Sequence, residues 1–390
     1  MQRVVILSAF LAPFRSGAEA CAEEVALRLS DQFDIMIVTA RLRKDLPRHD
    51  MLRGKVPVVR VGLGLPIDKW LFPLLAPFAV RSCVGAPRWG ARERIMLPQG
   101  SPPHFTNSRR QGYDRQEATS GRAASPYEPL IIHAILETFA GLALLFCRLL
   151  IPSAKRILTL QTLNRSLLKS PIIRAAHKVT AISTPLQKIA EDCGANNVAL
   201  IPNGIDLDRV VAFQKVSGRI LFVGRLEPMK GVDTLLHAFA KVRGDGIHLR
   251  IVGDGSQRQK LESLALELGI TDRVTFVGYV PVEHVYEEFA KAEIFCGLSR
   301  SEALGNVFLE AQASGCAVIG TNVGGIPDIV KHGETGLLVS PDDVDAAAQA
   351  MQSLIEDPLL RERLSTNTSF VMYDWRTISR QYANVYYSVE

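Results

Sequence analysis

Short runs of β-branched and aliphatic residues alternate with stretches whose apolar residues recur every three or four positions along most of this chain. That alternation predicts parallel sheets covered by helices. Val4 to Leu7, Ile35 to Thr39, Val56 to Val61, Pro129 to His133, Arg156 to Leu160, Val179 to Ile182 and Val198 to Ile201 are the expected strands of a first sheet. After the first of them a loop at Gly17 leads into a helix from about Ala18 to Leu29, with Cys21, Val25 and Leu29 as its core-facing stripe. An apolar helix is expected over Ala140 to Leu150. A cleaner series begins at Arg219, with strands at Ile220 to Val223, His248 to Val252, Arg273 to Val277, Glu293 to Leu298 and Ala317 to Gly320. Helices starting near Val232, Ser256, Pro281, Asn306 and Ile326 separate them, the pattern of a doubly wound sheet. The halves meet near Pro202 to Gly218, and Trp375 to Tyr387 has the spacing of a closing helix able to pack on either half.

The 390 residues are enough for two or three domains. Hydrophobic residues at 47% and charged residues at 22% exclude a fibrous or wholly disordered chain. No run approaches the roughly 18 apolar residues of a membrane-spanning helix, and Met1 to Phe10 reads as a strand without a cleavage pattern, so a cytoplasmic protein is expected. The six cysteines stand at least 20 positions apart and no histidines cluster, which suggests neither a disulfide framework nor a metal site. Charge is uneven: residues 1–200 hold 27 Lys and Arg against 15 Asp and Glu, whereas residues 201–390 hold 18 against 25. A basic half suits an anionic partner such as a membrane surface, although an ordinary solvated surface would leave the same imbalance. The stretch Val84 to Tyr127 lacks periodicity and is expected to be disordered or an irregular insertion. It carries seven Arg against three acids, but too few aromatics for a nucleic-acid partner to be expected.

Two segments of the second half carry candidate chemistry. In Ile220-Leu-Phe-Val-Gly-Arg-Leu-Glu-Pro-Met-Lys-Gly231, a strand ends at Gly224 and a helix opens at Val232. Arg225 and Lys230 beside that turn have the spacing of a diphosphate clamp, since cations near a helix start complement phosphate. Surface cations in a β-α loop would look the same. In Ser299-Arg-Ser-Glu-Ala-Leu-Gly-Asn-Val-Phe-Leu-Glu310, Glu302 lies in the loop after a buried strand, Gly305, Asn306 and Val307 open a helix, and Glu310 sits about one turn inside it. Free N–H groups at such a start receive phosphate, and the two carboxylates can accept hydrogen bonds from sugar hydroxyls. A carboxylate near a helix start also steadies the macrodipole, which is an alternative for Glu310 but not for Glu302. Ile251-Val-Gly-Asp-Gly255, with Gly253, and Val323-Gly-Gly-Ile-Pro-Asp328 add glycine turns at successive strand ends.

Together the run from Phe222 to Val339, with Gly224-Arg-Leu, Lys230-Gly, Gly253-Asp-Gly, the Glu302 and Glu310 pair and Gly324-Gly-Ile-Pro, resembles the C-terminal domain of family 4 retaining glycosyltransferases of the GT-B fold. Ile201-Pro-Asn-Gly-Ile-Asp206 is similar to the segment leading into that domain. The resemblance implies two Rossmann-like doubly wound domains facing each other across a cleft, at 1–202 and 203–371, with 372–390 a terminal helix that can return to the first. It implies transfer of a sugar from a nucleotide-diphosphate donor, the co-substrate, with retention of configuration and with neither metal nor further cofactor. By that likeness Arg225 and Lys230 hold the diphosphate, Glu310 the ribose, Glu302 the sugar, and the Tyr279-Val280 loop the base.

The first half matches less well. Gly17, in Ser16-Gly-Ala-Glu19, occupies the place of a Gly-Gly loop that contacts donor or acceptor, and His133-Ala-Ile-Leu-Glu137 looks like a His-x-His segment with Ile135 at its second histidine. His133 is thereby a catalytic candidate, while its place at the end of an apolar strand equally suits a core histidine. A non-catalytic nucleotide-sugar-binding module with a degenerate first half is the alternative function. A dinucleotide oxidoreductase is disfavoured by the missing GxGxxG. The acceptor is expected to be a glycan, a lipid-linked compound or a small molecule. Asp68 to Val80, with Trp70, Leu71, Phe72, Leu74, Leu75 and Phe78, is either a core segment or a surface for peripheral contact with the inner face of a membrane.

Overall fold

A computed structural model of the protein describes every residue except 12–16, 85–129, 137, 165, 367–369 and 390. The expectations for Ser16 and for most of the irregular stretch therefore lie outside the described residues.

The first sheet has eight strands: β1 (Arg3–Leu7), β2 (Asp34–Ala40), β3 (His49–Leu52), β4 (Val56–Val61), β5 (Ile131–Ile135), β6 (Lys155–Leu160), β7 (Lys178–Ala181) and β8 (Ala199–Leu200). Their order across the sheet is β3-β4-β2-β1-β5-β6-β7-β8, and only the β3–β4 pair is antiparallel. The second sheet holds β9 (Arg219–Val223), β10 (His248–Val252), β11 (Val274–Gly278), β12 (Ile294–Gly297), β13 (Ala317–Thr321) and β14 (Leu337–Val339), in the order β11-β10-β9-β12-β13-β14 and entirely parallel. Helices cover both faces, so central strands are apolar throughout; all five residues of β5 are buried. The expectation of two doubly wound sheets holds.

Two strands were not legible. β3 is the exposed His-Asp-Met-Leu edge and β14 has three residues, so neither presents a buried apolar run.

The chain crosses between the sheets twice, and the crossings run side by side. Ile205 N–H donates to the Tyr373 carbonyl at 2.8 Å, and Trp375 N–H returns a bond to Ile205 at 3.2 Å. Past that crossing the helix Trp375–Tyr387 packs on the first sheet, burying Trp375, Ile378, Tyr382 and Tyr386 among Val4, Ile6, Cys21 and Val25. In both sheets the carboxyl ends of the parallel strands carry the loops that face the cleft, which is where ligands bind in such folds.

Candidate functional site

The site is assembled from loops that only glycine lets approach so closely. Gly253 ends β10 at φ +132°, and a Cβ there would stand 1.9 Å from the Gly224 carbonyl oxygen, so the loops after β9 and β10 pack backbone to backbone. Gly324 has φ +53° and faces the Glu302 carbonyl in the same way, at 1.8 Å. Gly325 N–H donates to that carbonyl at 3.1 Å, which fixes the backbone of the Glu302 loop from behind.

Lys230 ends a short turn over Pro228–Lys230, and its ammonium donates to the Glu302 carboxylate. Ser299 hydroxyl lies 3.4 Å from the same oxygen. Arg300 holds the two loops in register. Its guanidinium takes Asp233 through both oxygens at 3.0 and 2.8 Å, reaches Asp342 at 2.8 Å and the Pro228 carbonyl at 2.5 Å, while its N–H donates to Met229 at 2.8 Å. These charge-assisted bonds hold the Arg300 pKa above its ordinary value, with the Asp233 hydrogen bond the largest cause. Arg225 is exposed, and its guanidinium has no hydrogen-bond partner among the described residues.

The helix Asn306–Ala313 starts at Gly305, in the left-handed region at φ +96°, and no side chain caps it. The side chain of its first residue meets the opposite domain: a Cβ on Gly17, the first residue of the helix Gly17–Leu29, would stand 3.2 Å from the side-chain Nδ2 of Asn306 and 3.3 Å from that of Asn203. Asn203 is buried and exchanges two amide hydrogen bonds with Gln161, at 3.0 and 3.1 Å.

A cavity of roughly 340 Å³ opens between the domains at this point, lined by Gly17, Gly224, Asn306, Val307 and Glu310. Glu24, Asp206, Arg209, Val282 and Tyr286 complete much of its wall. Glu24 is almost fully buried and paired with Arg28, and Asp206 pairs with Arg209 at 3.1 Å. Burial, with the Glu310 charge second, raises the Tyr286 pKa far above its usual value. The cavity therefore combines an uncapped helix start, a carboxylate at Glu310 and an apolar edge at Val223, Val282 and Tyr286. That combination suits an anionic ligand that also carries hydroxyl groups and an apolar face.

Of the residues singled out in sequence, Gly17, Gly224, Asn306, Val307 and Glu310 meet at this cavity, and Lys230, Glu302 and Gly305 form the adjoining cluster, where Gly305 packs against the Glu302 side chain. Gly253 lies behind Gly224. Tyr279 is 75% exposed and Val280 packs on the core; neither lines the cavity, whose edge on that side is Val282 and Tyr286.

His133 needs a correction. It is fully buried, with Nδ1 at 2.8 Å from the Tyr386 hydroxyl and Nε2 at 2.7 Å from the Thr159 hydroxyl. Desolvation pushes its pKa down to about 3. Both ring nitrogens are occupied under the C-terminal helix, so it cannot reach a cleft ligand, and Ile135 is buried on the same core side.

The residues missed in sequence are Gln161, Asn203, Glu24, Arg209, Tyr286 and the clasp made by Arg300. Glu24 and Arg28 have only the four-residue spacing of an ordinary ion pair along a helix. Asn203 lies inside the quoted Ile201 to Asp206 segment, which offered its only signal.

The second half is also where the chain is most similar to known proteins. Residues 206–369 match the family model for glycosyl transferases group 1. An uncharacterized glycosyltransferase of Methanocaldococcus jannaschii is 33% identical over 186 residues, 47% of this chain and 48% of that protein. A GDP-mannose-dependent alpha-(1-6)-phosphatidylinositol monomannoside mannosyltransferase of Mycobacterium tuberculosis is 36% identical over 184 residues, 42% of this chain and 48% of that one. The alignments thus span about half the length of these curated relatives. Among solved structures, Anabaena HepE in complex with UDP and glucose aligns over 100% of both chains with a TM-score of 0.71 at 18% identity. Sucrose-phosphate synthase from Thermosynechococcus elongatus aligns over 100% of this chain and 99% of its own with a TM-score of 0.75 at 20% identity. The fold is GT-B.

Proposed function

We propose that the protein is a retaining glycosyltransferase that moves a sugar from a nucleotide-diphosphate donor to a glycan or lipid-linked acceptor. The observation that carries the reading is the junction of the Lys230–Glu302 pair with the uncapped helix start at Asn306, beside the cavity that holds Glu310. Breaking the bond between the anomeric carbon and phosphate oxygen sends its electron pair to the diphosphate. Lys230, Arg225 and the amides at Asn306 and Val307 offset that charge, which is where preorganised groups accelerate a reaction most. Glu310 accepts from the ribose and Glu302 from the donor sugar. With Glu302 assigned to the hydroxyls of the donor sugar, the attack comes from the acceptor hydroxyl on the face the diphosphate leaves. The hydroxyl oxygen bonds the anomeric carbon, and its proton passes to the departing phosphate oxygen.

UDP-linked and GDP-linked sugars both belong in the test, because the relatives include a GDP-mannose-dependent enzyme and the structural neighbours a UDP complex. Titration of the purified protein with these donors, followed by assay of diphosphate release with candidate acceptors, tests the reading. Binding of one donor and acceptor-dependent release are expected. Failure to bind any nucleotide sugar would remove it.

A further inference from the structure

The helix Asp68–Val84 has two apolar faces, and only one is used by the fold. Phe72, Ala76 and Val80 are fully buried on the first sheet's core. Trp70, Leu74 and Phe78, also spaced by four, are 65%, 50% and 61% exposed. A helix that is apolar all round and half in water needs an occupant for its second face. The preceding loop extends the surface with Leu63, Leu65 and Ile67, all exposed. That loop is held open by the buried Asp68, whose carboxylate accepts from Gly64 N–H at 2.6 Å and Leu65 N–H at 3.2 Å.

The charges point to what the occupant is. Asp68 is the only acid on this helix and is buried, whereas its bases, Lys69 and Arg81, are not. The neighbouring helix Phe139–Leu150, whose Phe139 lies edge-on to Trp70 at 5.1 Å, has no acid and one base, the exposed Arg148, next to the exposed Leu149. Exposed aromatic and aliphatic side chains bordered by Lys69 and Arg81, with Lys44 against the Gly64 turn and the carboxylate described beside it, Asp45, paired with Arg43, fit the interface of an anionic bilayer, where rings enter the headgroup layer and cations meet lipid phosphate. The loop after β4 opens on the same sheet edge as the Gly17 loop, because β4 and β1 run in the same direction.

The geometry points to peripheral docking of this protein on an anionic lipid surface through Trp70, Leu74, Phe78 and the Leu63 to Ile67 loop. Docking is independent of the transferase reading: vesicle binding without sugar transfer would leave it standing. The test is sedimentation of the full chain with phosphatidylcholine vesicles, with and without phosphatidylglycerol, at low and high salt. The wild type is expected to pellet with the anionic vesicles at low salt and to remain in solution with neutral ones. Trp70→Ser combined with Phe78→Ser is expected to lose pelleting entirely while keeping the wild-type melting temperature, since both residues are exposed. Lys69→Glu with Arg148→Glu is expected to lose it by removing charge alone. A wild type that stays in solution with both vesicle types, that pellets equally with neutral ones, or that instead dimerises through this face by light scattering overturns the proposal. So does a Trp70→Ser, Phe78→Ser variant that pellets like the wild type.

Discussion

Lys230 donates its ammonium to the carboxylate of Glu302, a residue 72 positions later, and so joins the loop after β9 to the loop after β12. In the absence of ligand each charge is the other's partner. On the proposed reading a donor diphosphate would draw Lys230 and a sugar hydroxyl would draw Glu302, so that the two halves of the pair separate onto one substrate. Lys230→Ala and Glu302→Ala are each expected to lower kcat/KM by at least about a hundredfold, the usual loss for a group that stabilises developing charge. Both side chains are partly exposed, so stability should move by no more than about 1 kcal/mol. Diphosphate-release kinetics beside urea melts check this, and wild-type turnover in either variant would exclude the cluster as the reacting centre.

Gly324 supports the backbone of Glu302. Its φ of +53° and the 1.8 Å separation that a Cβ would have from the Glu302 carbonyl mean that Gly324→Ala must displace one loop. The strain and the overpacking together should cost about 2 kcal/mol or more. A tenfold or greater fall in turnover is expected as well, on the order of 1.4 kcal/mol of barrier. A variant with unchanged melting and kinetics would show that the loop is slack.

His133 belongs to stability and not to transfer. Its folded pKa of about 3 lies below the ordinary 6.5, so the folded state keeps it neutral while the unfolded chain takes up a proton between those values. Its contribution is complete above pH 6.5 and is lost as pH falls toward 3. Between pH 7 and pH 5 the loss is about 2 kcal/mol. His133→Leu should remove that part of the slope in urea melts at the two pH values. It also forfeits the bonds to Tyr386 and Thr159, lowering stability at neutral pH. The pH profile of turnover, measured at a temperature where the variant is folded, should not change.

Asp328 crosses between the domains. Its carboxylate accepts from Thr184 N–H at 2.6 Å, at the start of the helix Thr184–Asp192, so one domain caps a helix of the other. Asp328→Ala should cost about 1 kcal/mol, the typical value of a lost cap. It should also loosen the domain pairing, seen as a larger radius of gyration by small-angle scattering. An unchanged melt and scattering curve would show that the paired crossings at Ile205 and Tyr373 hold the domains alone.

The placement of the second domain's candidate residues was readable because its signals are local. Gly224, Lys230, Gly253, Glu302 and Gly324 each stand at the carboxyl end of a strand whose apolar run is plain, and parallel strands bring their carboxyl ends together. The first domain was harder to read. His133 resembled a site residue in one dimension, yet its direction from β5 is set by the C-terminal helix, more than two hundred residues away, and that helix covers it. Gln161 carried no signal and Asn203 only its place in the Ile201 to Asp206 segment, since two amides become notable only when paired.

The same contrast holds for Asp68 to Val84. Period and composition in the chain were enough to dictate two doubly wound sheets and the order of the loops around the cavity between them, because backbone hydrogen bonding and apolar burial act over a few residues at a time. Which face of that helix is left in water, whether His133 meets substrate or core, and which domain receives Trp375–Tyr387 depend on contacts between residues far apart in sequence. Only folding selects among those contacts, since each apolar surface accepts many partners of similar chemistry and shape complementarity across the whole molecule decides between them.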